Sequence, residues 1–236
     1  MAGGANAVNM YLDRDIDDVM SRTRLRPIPS GRLAATSVVA FGVALATAAT
    51  FLLAHFANVA TAMLALAGFY FYVFVYTRWL KRSTPQNIVI GGAAGAVPPL
   101  VGWAAGTGNV TLAAWVLFAI VFVWTPPHFW ALALLIKDNY RNAGVPMLPV
   151  VRGDRETARQ IVVYSAGLIA VTLLPVALGS AGLVYLASAL ALGAVFMWLA
   201  ARLRRDLSPR RAAVLFHYSL LYLALLFVAL AFDAVL

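Results

Sequence analysis

The sequence predicts an all-α fold, a polytopic bundle of transmembrane helices with seven full spans and a helical remnant at the amino terminus. Of its 236 residues, 63% are hydrophobic and 11% are charged, and the mean hydropathy is +0.85. A soluble domain has ~45–50% apolar and ~25% charged residues, so the composition is that of an integral membrane protein. We expect residues 1–236 to form a single integral-membrane domain, because the length allows one helical bundle.

Seven hydrophobic stretches are long enough to cross a bilayer, which takes about 20 residues of helix. Very short turns near 55–57, 106–109 and 180–182 alternate with longer polar loops between them. The predicted spans are residues 33–54, 58–77, 88–105, 110–136, 160–179, 183–201 and 212–234.

All 18 Lys and Arg residues fall in four polar loops on one side of the predicted bundle. Basic loops mark the cytoplasmic side of a membrane, so we expect a multi-pass protein of the cell inner (plasma) membrane with these loops in the cytoplasm. Topology in the lipid bilayer therefore explains the net charge of +9, and no nucleic-acid partner is expected. Cysteine is absent, which excludes disulfides and a thiolate site. The loops are 13–32, 78–87, 137–159 and 202–211.

The chain opens with small residues, MAGGANAVNMYL, which suit close helix packing. This segment is too short to cross a bilayer, and it lacks the basic, apolar and cleavage regions of a signal peptide. We expect the chain to begin inside a helix, as it would after a truncation or from a misassigned start.

The most polar stretch, Asn9 to Arg32, carries four of the nine acidic residues of the chain. Asn9, Asp13 and Asp17 are spaced four residues apart and would lie near one face of a helix. A divalent cation between the two carboxylates would turn their repulsion into binding, and Mg²⁺ prefers oxygen ligands and is usually shared with substrate phosphates. The alternative is a helix end with solvated charges. The basic residues suited to phosphate are Arg22, Arg24, Arg26 and Arg32.

A second polar cluster lies at the cytoplasmic end of the second span, where Thr84 and Pro85 should end one helix and start the next. Lys81 or Arg82 would face the same membrane surface as Asp13 and grip a diphosphate. The alternative is a basic side chain that snorkels to the interface. The cluster contains Tyr76, Arg78, Lys81, Arg82, Gln86 and Asn87.

The third span is poor in large side chains, and we expect Pro98 and Pro99 to break its helix. Helix breakers at membrane depth are tolerated where the freed backbone is buried in protein or lines a cavity. The small residues would leave room for a flat or elongated ligand, or would serve close helix packing. The glycines available for such packing are Gly91, Gly95 and Gly102.

The fourth span contains a second proline pair, Pro126 and Pro127, which we expect to break the helix before His128. A histidine within a span usually faces the bundle interior or a cavity, as a haem ligand, a proton carrier or a packed core residue. At the cytoplasmic end of this span, Asp138 would supply a carboxylate opposite Asp13 and Asp17.

These motifs together resemble the intramembrane prenyltransferases of the UbiA type. The first is Asn9-x3-Asp13-x3-Asp17, followed by Arg22-Thr23 and Arg26-Pro27. Three further blocks are similar to the haem-specific branch of that family, the haem O synthases, and they occur in the expected order. They are YTRWLKRSTPQN (76–87), WTPPHFWALALLIKD (124–138) and YRNAGVPMLPVVRG (140–153).

The resemblance implies a UbiA-like bundle around a central cavity that opens to the cytoplasm, with the family's first span and much of its second missing here. It implies Mg²⁺-assisted transfer of a farnesyl group from farnesyl diphosphate to the 2-vinyl group of haem b (protohaem IX), giving haem O. The product serves terminal haem-copper oxidases, so haem A synthase or terminal oxidase assembly would be a downstream partner.

By the same resemblance, Asp13, Asp17 and Asp138 would hold the metal, and these three carboxylates and Lys81 would be catalytic. In the second acidic motif, Asp138 is followed four residues later by Asn142 instead of an acid, which puts a second, symmetric Mg²⁺ in doubt. The residues expected to bind substrate are Asn9, Arg22, Arg26, Tyr76, Arg82, Gln86, Asn87 and His128.

Three other functions fit parts of the pattern. A close alternative is a UbiA-type enzyme that prenylates a quinone precursor or another aromatic ring. A secondary transporter also has broken helices and polar residues within the membrane, and a non-catalytic assembly factor would fit a shortened start. Paired acids at the cytoplasmic mouth favour the enzyme, because a transporter more often needs polar residues at mid-depth.

Overall fold

The computed structural model describes residues 1–235, which form helices joined by turns and short loops, with no strand in that range. The helices are α1 (Ala2–Leu12), α2 (Arg14–Val19), α3 (Ala35–Phe56), α4 (Val59–Ser83), α5 (Asn87–Thr107), α6 (Leu112–Leu135), α7 (Lys137–Asn142), α8 (Leu148–Val151), α9 (Gly153–Ala177), α10 (Leu183–Arg205) and α11 (Pro209–Asp233).

Seven of the helices in residues 1–235, namely α3 to α6 and α9 to α11, are long and apolar enough to cross a membrane. They contain between 21 and 25 residues each. At 1.5 Å per residue, such a helix covers a hydrocarbon core of about 30 Å. The predicted all-α, seven-span membrane protein is therefore confirmed, with α1 as the helical segment before the first span.

The second span, α4, differs from the prediction in its winding and its end. It continues to Ser83, and its central part, Phe71–Leu80, is a π-helix. In a π-helix the backbone hydrogen bonds join residues five apart, as between the N–H of Lys81 and the carbonyl of Tyr76. Hydropathy contains no signal for this winding. π-helical turns are rare and occur frequently at functional sites.

Both proline pairs lie inside continuous helices, so the prediction that they break their spans is wrong. Pro98 and Pro99 lie within α5, and Pro126 and Pro127 lie within α6. Each proline removes one N–H donor from the helix. In hydrocarbon, however, the other backbone groups still need partners within the helix, and the helix therefore persists on both sides of each pair.

The helix α9 begins at Gly153, earlier than the predicted start near residue 160. Its first turn carries Asp154 and Glu156, and carboxylates at this position interact favourably with the positive end of the helix dipole. Lys137 Nζ donates to both carboxylate oxygens of Asp154, at 2.9 and 2.8 Å. Charged residues that hydropathy assigns to a loop thus extend the helix beyond its apolar part.

The described residues form two compact units. Unit 1 contains residues 1–114 and 138–147, and unit 2 contains residues 115–137 and those from 148 onward. The single domain over 1–236 stays a prediction.

In unit 1, α1 approaches α3 so closely that no side chain fits at the crossing. A Cβ on Gly4 would lie 2.6 Å from the carbonyl oxygen of Gly42, and a Cβ on Gly42 would lie 2.9 Å from that of Gly4. The close packing predicted for the small residues at the amino terminus is thus confirmed, and it holds the helix that carries Asn9. An adjoining apolar cluster contains Ala5, Ala46, Phe69 and Val73.

Also in unit 1, α4 packs against α5 through a glycine. A Cβ on Gly91 would lie 2.2 Å from the ring of Tyr76, so the ring occupies the space that a side chain would need. Close packing is confirmed at Gly91. A Cβ on Gly95 or Gly102 would meet no atom of the described structure within 4 Å.

In unit 2, side-chain hydrogen bonds join the spans. Trp124 Nε1 on α6 donates to the carbonyl oxygen of Ser219 on α11 at 2.8 Å. At the end of α11, Asp233 accepts hydrogen bonds from the backbone N–H groups of Gly182 and Tyr185. A carboxylate at the end of α11 therefore caps the amino terminus of the preceding span, α10, whose first N–H groups have no partner within the helix.

Gly4→Ala should destabilise the protein by about 1–3 kcal/mol, the usual cost of overpacking a core, because the new Cβ meets the backbone of Gly42. Thermal unfolding of the purified protein in nanodiscs measures the effect. Gly3→Ala is the matched control, because its Cβ would meet only Leu45 Cδ1, at 3.7 Å. Equal melting temperatures for the two variants would contradict the close crossing of α1 and α3.

Candidate functional site

A buried carboxylate, Asp13, lies where α1 meets α2 in unit 1, and its side chain is 0% exposed. Asp13 Oδ2 accepts a hydrogen bond from Asn9 Nδ2 at 2.8 Å and another from Lys81 Nζ. Arg82 Nη2 lies 3.6 Å from Asp13 Oδ1. A buried charge is costly unless it is paired and hydrogen-bonded. We call Asn9, Asp13, Thr77, Lys81 and Arg82 the Asp13 cluster.

The carboxamide of Asn9 is held in one orientation. Asn9 Nδ2 donates to Asp13 Oδ2 and also to Thr77 Oγ1, at 3.1 Å. A carboxylate only accepts, so the nitrogen of Asn9 must face Asp13, and its oxygen faces away from both partners. Asn9 and Asp13 are four residues apart, and so are their partners on α4, Thr77 and Lys81. The equal spacing lets Asn9 contact Thr77 while Asp13 contacts Lys81.

The second acid of the predicted motif, Asp17, is also buried and paired. Its side chain is 3% exposed, and its Oδ2 accepts from Arg26 Nη1 at 2.7 Å. Thr23 Oγ1 donates to the backbone carbonyl of Asp17 at 3.1 Å, which folds the following segment back onto α2. Two buried, paired carboxylates are not a solvated helix end, so that alternative is wrong.

Arg82 forms a bidentate pair with Asp15. Arg82 Nη1 and Nη2 donate to the two carboxylate oxygens at 2.6 and 2.7 Å, and Nη2 also donates to the carbonyl of Leu12 at 2.7 Å. These hydrogen bonds hold the pKa of the Asp15 carboxyl at about 2, well below its usual value. The pair lies beside a cavity of about 170 Å³, which is lined by Asp15, Ile16, Arg82, Ala143, Gly144 and Val145.

The donor atoms of this site fit a hard cation. Asp13 Oδ1 is buried and has no hydrogen-bond partner among the described residues. Such an orphaned oxygen is unusual in a native structure, and carboxylate oxygens are ligands that Mg²⁺ takes. No group of three or more His, Cys, Asp or Glu side chains within residues 1–235 could hold a metal by itself. An ion here would therefore also need oxygens from substrate or water, which is usual for Mg²⁺.

Asp138 does not join Asp13 and Asp17 in a metal-binding group of the described residues. Its side chain is 80% exposed, and Arg141 Nη1 donates to its Oδ1 at 2.5 Å. The neighbouring Asn139 accepts a hydrogen bond from Ser21 Oγ at 3.2 Å, which links α7 to the segment after α2. The role of Asp138 as a metal ligand and catalytic group stays a prediction.

The remaining predicted residues of unit 1 differ in burial. Tyr76 stacks on Tyr72 with ring centroids 5.6 Å apart. Gln86 is exposed at the start of α5, whereas Asn87 is fully buried and donates to the carbonyl of Thr84 at 2.7 Å. The Oδ1 atom of Asn87 is buried without a partner in the described structure.

Arg22 is exposed in the segment after α2 and lies close enough to Tyr140 to influence its titration. Burial raises the pKa of the Tyr140 hydroxyl, and the positive charge of Arg22 acts in the opposite direction.

His128 lies in unit 2, buried between two aromatic rings. Its ring stacks on Trp124 and on Phe216, with centroid distances of 4.3 and 4.8 Å. Its Nδ1 is 2.6 Å from Ser219 Oγ, and that hydroxyl also donates to the carbonyl of Phe216 at 2.6 Å. Because the Ser219 hydroxyl hydrogen already bonds to that carbonyl, Ser219 Oγ can only accept a hydrogen bond from His128 Nδ1. We therefore assign the ring hydrogen of His128 to Nδ1 and the lone pair to Nε2.

Two residues of the site were not predicted, Asp15 and Thr77. Asp15 falls outside the four-residue spacing of the acidic motif, and Thr77 reads as an ordinary residue of a span. Their partners, Arg82 and Asn9, lie 67 and 68 residues away in the sequence. Only the packing of α4 beside α1 and α2 brings these groups together, and local spacing carries no signal for it.

The sequence matches the UbiA prenyltransferase family over residues 1–231. The chain belongs to this family. Among curated UbiA-type relatives, the protoheme IX farnesyltransferase of Roseiflexus sp. (strain RS-1) is 57% identical over 235 residues, which are 100% of this chain and 44% of that protein. The protein of the same name from Gloeobacter violaceus is 55% identical over 238 residues, 99% of this chain and 77% of that protein. The chain thus spans less than half the length of the Roseiflexus relative.

Solved structures share the UbiA fold. A structure of digeranylgeranylglyceryl phosphate synthase has a TM-score of 0.78 and 18% identity, and the match covers 98% of this chain and 80% of that one. A UbiA homologue from Archaeoglobus fulgidus bound to DMAPP and Mg²⁺ has a TM-score of 0.61 and 14% identity, with 97% and 83% covered. At these identities the similarity shows the fold alone, and it confirms the predicted UbiA-like bundle.

Lys81→Met should destabilise the protein by about 3–5 kcal/mol, the cost of leaving one charge of a buried pair without its partner. Thermal unfolding in nanodiscs measures the loss. Combining Lys81→Met with Asp13→Asn should recover a large part of it, because neither charge then remains buried. A double variant as unstable as the sum of the two single variants would contradict the pairing.

Proposed function

We propose that this UbiA-family chain carries out the reaction of a haem O synthase, the transfer of a farnesyl group from farnesyl diphosphate to the 2-vinyl group of haem b. The observation that carries the proposal is the Asp13 cluster, in which a buried carboxylate suited to Mg²⁺ and two cations suited to diphosphate lie side by side. The names of the relatives from Roseiflexus and Gloeobacter support haem as the acceptor.

The first step breaks the allylic C–O bond of farnesyl diphosphate, and its electron pair leaves on the diphosphate. Fixed charges aimed at a developing charge are usually the largest catalytic contribution. In our proposal Lys81 and Arg82 at the end of α4 take up this charge, together with Arg26, which lies beside Asp17. Arg22 is exposed on the same segment and would add a further contact.

We propose Asp13 and Asp17 as the protein ligands of Mg²⁺, with the orphaned Asp13 Oδ1 as the atom that needs such a partner. When bound, Mg²⁺ supplies positive charge that stabilises the departing diphosphate. A bound Mg²⁺ in the UbiA homologue from Archaeoglobus fulgidus supports Mg²⁺ use in the family. Asn9, oriented by Thr77, presents its carboxamide oxygen from the same cluster.

The second step joins the farnesyl cation to haem. The vinyl group attacks with its π electrons, and the resulting side-chain cation takes up water and loses a proton, which gives the hydroxyethylfarnesyl chain. Early contact with water would quench the farnesyl cation, so the site must be dry. The stacked rings of Tyr72 and Tyr76 offer faces that favour a cation.

We propose that the site opens to the cytoplasm from the inner membrane, since all 18 Lys and Arg residues lie in the segments that the positive-inside rule assigns to that side. Haem A synthase or the assembly of a terminal oxidase would use the product. A related enzyme acting on a quinone precursor or another ring is the second candidate, because the UbiA fold also occurs in a digeranylgeranylglyceryl phosphate synthase.

Asp13→Ala and Asp17→Ala should each lower product formation by about 100-fold or more, the effect of removing one group that stabilises transition-state charge. Membranes containing the protein are incubated with haem b, farnesyl diphosphate and Mg²⁺, and the product is identified by mass. Asp18→Ala is the control, because Asp18 is exposed on α2 and forms no ion pair with any described residue.

Wild-type turnover in the Asp13 or Asp17 variant would refute the assigned site. A prenylated quinone precursor in place of farnesylated haem would refute the acceptor and leave the diphosphate site standing.

His128→Ala should impair haem use more than diphosphate binding, if its Nε2 contacts the acceptor. Because His128 also packs between Trp124 and Phe216, we include His128→Phe, which keeps a stacked ring and removes both nitrogens. Steady-state kinetics with each substrate varied in turn separates the two effects. If His128→Phe uses haem normally, then His128 serves aromatic packing and does not contact the acceptor.

A further inference from the structure

Both terminal nitrogens of Arg82 are hydrogen-bonded within the chain. Its two terminal nitrogens are directed at the two oxygens of Asp15, at 2.6 and 2.7 Å, and one of them also donates to the carbonyl of Leu12. This fork geometry is the one in which arginine recognises a phosphate group. A diphosphate that approaches Arg82 therefore meets donors that another anion already occupies.

We propose that Asp15 is a competing counter-ion, which holds Arg82 in the free protein and is displaced when the diphosphate of the substrate binds. The inference deepens the proposed function and rests on it, because it takes Arg82 as a diphosphate contact. It gives Asp15 a role opposite to those of Asp13 and Asp17. Those two carboxylates would promote diphosphate binding through Mg²⁺, whereas Asp15 would weaken it.

Exposure distinguishes Asp15 from its neighbours. The side chain of Asp15 is 61% exposed, whereas those of Asp13 and Asp17 are 0% and 3% exposed. An exposed carboxylate can turn into water and be solvated at small cost, and exposed ion pairs are weak. A buried carboxylate cannot leave its partner in this way. Of Asp13, Asp15 and Asp17, Asp15 is therefore the acid that can give up its arginine partner to another anion.

The cavity beside the pair provides the space for exchange. It measures about 170 Å³, and Asp15, Arg82 and the backbone turn at Ala143 to Val145 line it. The Arg82 side chain is 30% exposed and lines this cavity. An anion that enters here would meet both Arg82 and Asp15.

The test uses the full chain in nanodiscs of a zwitterionic lipid and measures binding of inorganic pyrophosphate with Mg²⁺ by calorimetry. Asp15→Asn should bind pyrophosphate about three- to ten-fold more tightly than the wild type, because Arg82 is freed from an exposed ion pair. Asp18→Asn is the matched control, since it removes the same charge from an exposed position of the same helix without an arginine contact. It should change the affinity much less.

A second pair of variants isolates the guanidinium. With Arg82→Gln in the background, Asp15→Asn should no longer tighten binding, because the competed group is gone. Thermal unfolding in the same nanodiscs identifies any variant that fails to fold. If Asp15→Asn fails to fold, Asp15→Ser takes its place, since it also removes the charge and leaves a short polar side chain.

Three results would overturn the proposal: unchanged or weaker binding in a folded Asp15 variant, an equal gain in Asp18→Asn, or a gain that survives Arg82→Gln. Product formation is measured separately with haem b and farnesyl diphosphate. Tighter pyrophosphate binding without any farnesylated haem would refute the proposed reaction but support the exchange at Arg82.

Discussion

The burial of the Asp13 charge is the constraint on which the rest of unit 1 depends. A carboxylate with no exposure must find its compensation inside the protein. Lys81 supplies the counter-charge and Asn9 a hydrogen bond, and these partners come from helices far apart in the sequence. The need to satisfy one buried charge therefore fixes α1 against α4 in a single register.

The acids of the site are paired with cations of the chain, as Asp13–Lys81, Asp17–Arg26 and Asp15–Arg82. These pairs place both signs of charge side by side. In the function that we propose, a metal diphosphate, which also carries both signs, would interact with both halves of these pairs.

Much of the fold could be predicted because hydrocarbon imposes simple rules. Apolar length and basic loops identified all seven spans, since both follow directly from the cost of polar groups in a membrane. The prediction at the proline pairs was wrong because it applied a rule that holds for helices in water. There, the backbone groups that a proline frees find other hydrogen-bond partners. The early start of α9 was not predicted, because hydropathy does not take account of charged residues that stabilise a helix terminus.

The site was predictable in part for a similar reason. The four-residue spacing of Asn9, Asp13 and Asp17 can be recognised from the sequence, because it places the three side chains near one face of a helix. The ion pairs that involve Arg82 and Lys81 depend on how distant helices pack, and so does the contact of Thr77. The side chain of Asp138 is exposed and pairs with Arg141 on its own helix, and its role at the metal stays a prediction.

The π-helix in α4 has a consequence for how the chain tolerates changes of length. A π-helical turn takes up one residue more than an α-helical turn. Removing a single residue between Phe71 and Leu80 would let the segment tighten into ordinary turns, and Lys81 and Arg82 would keep close to their present direction. The π-helix thus lets this segment lose a residue without changing the direction of the basic side chains that follow it.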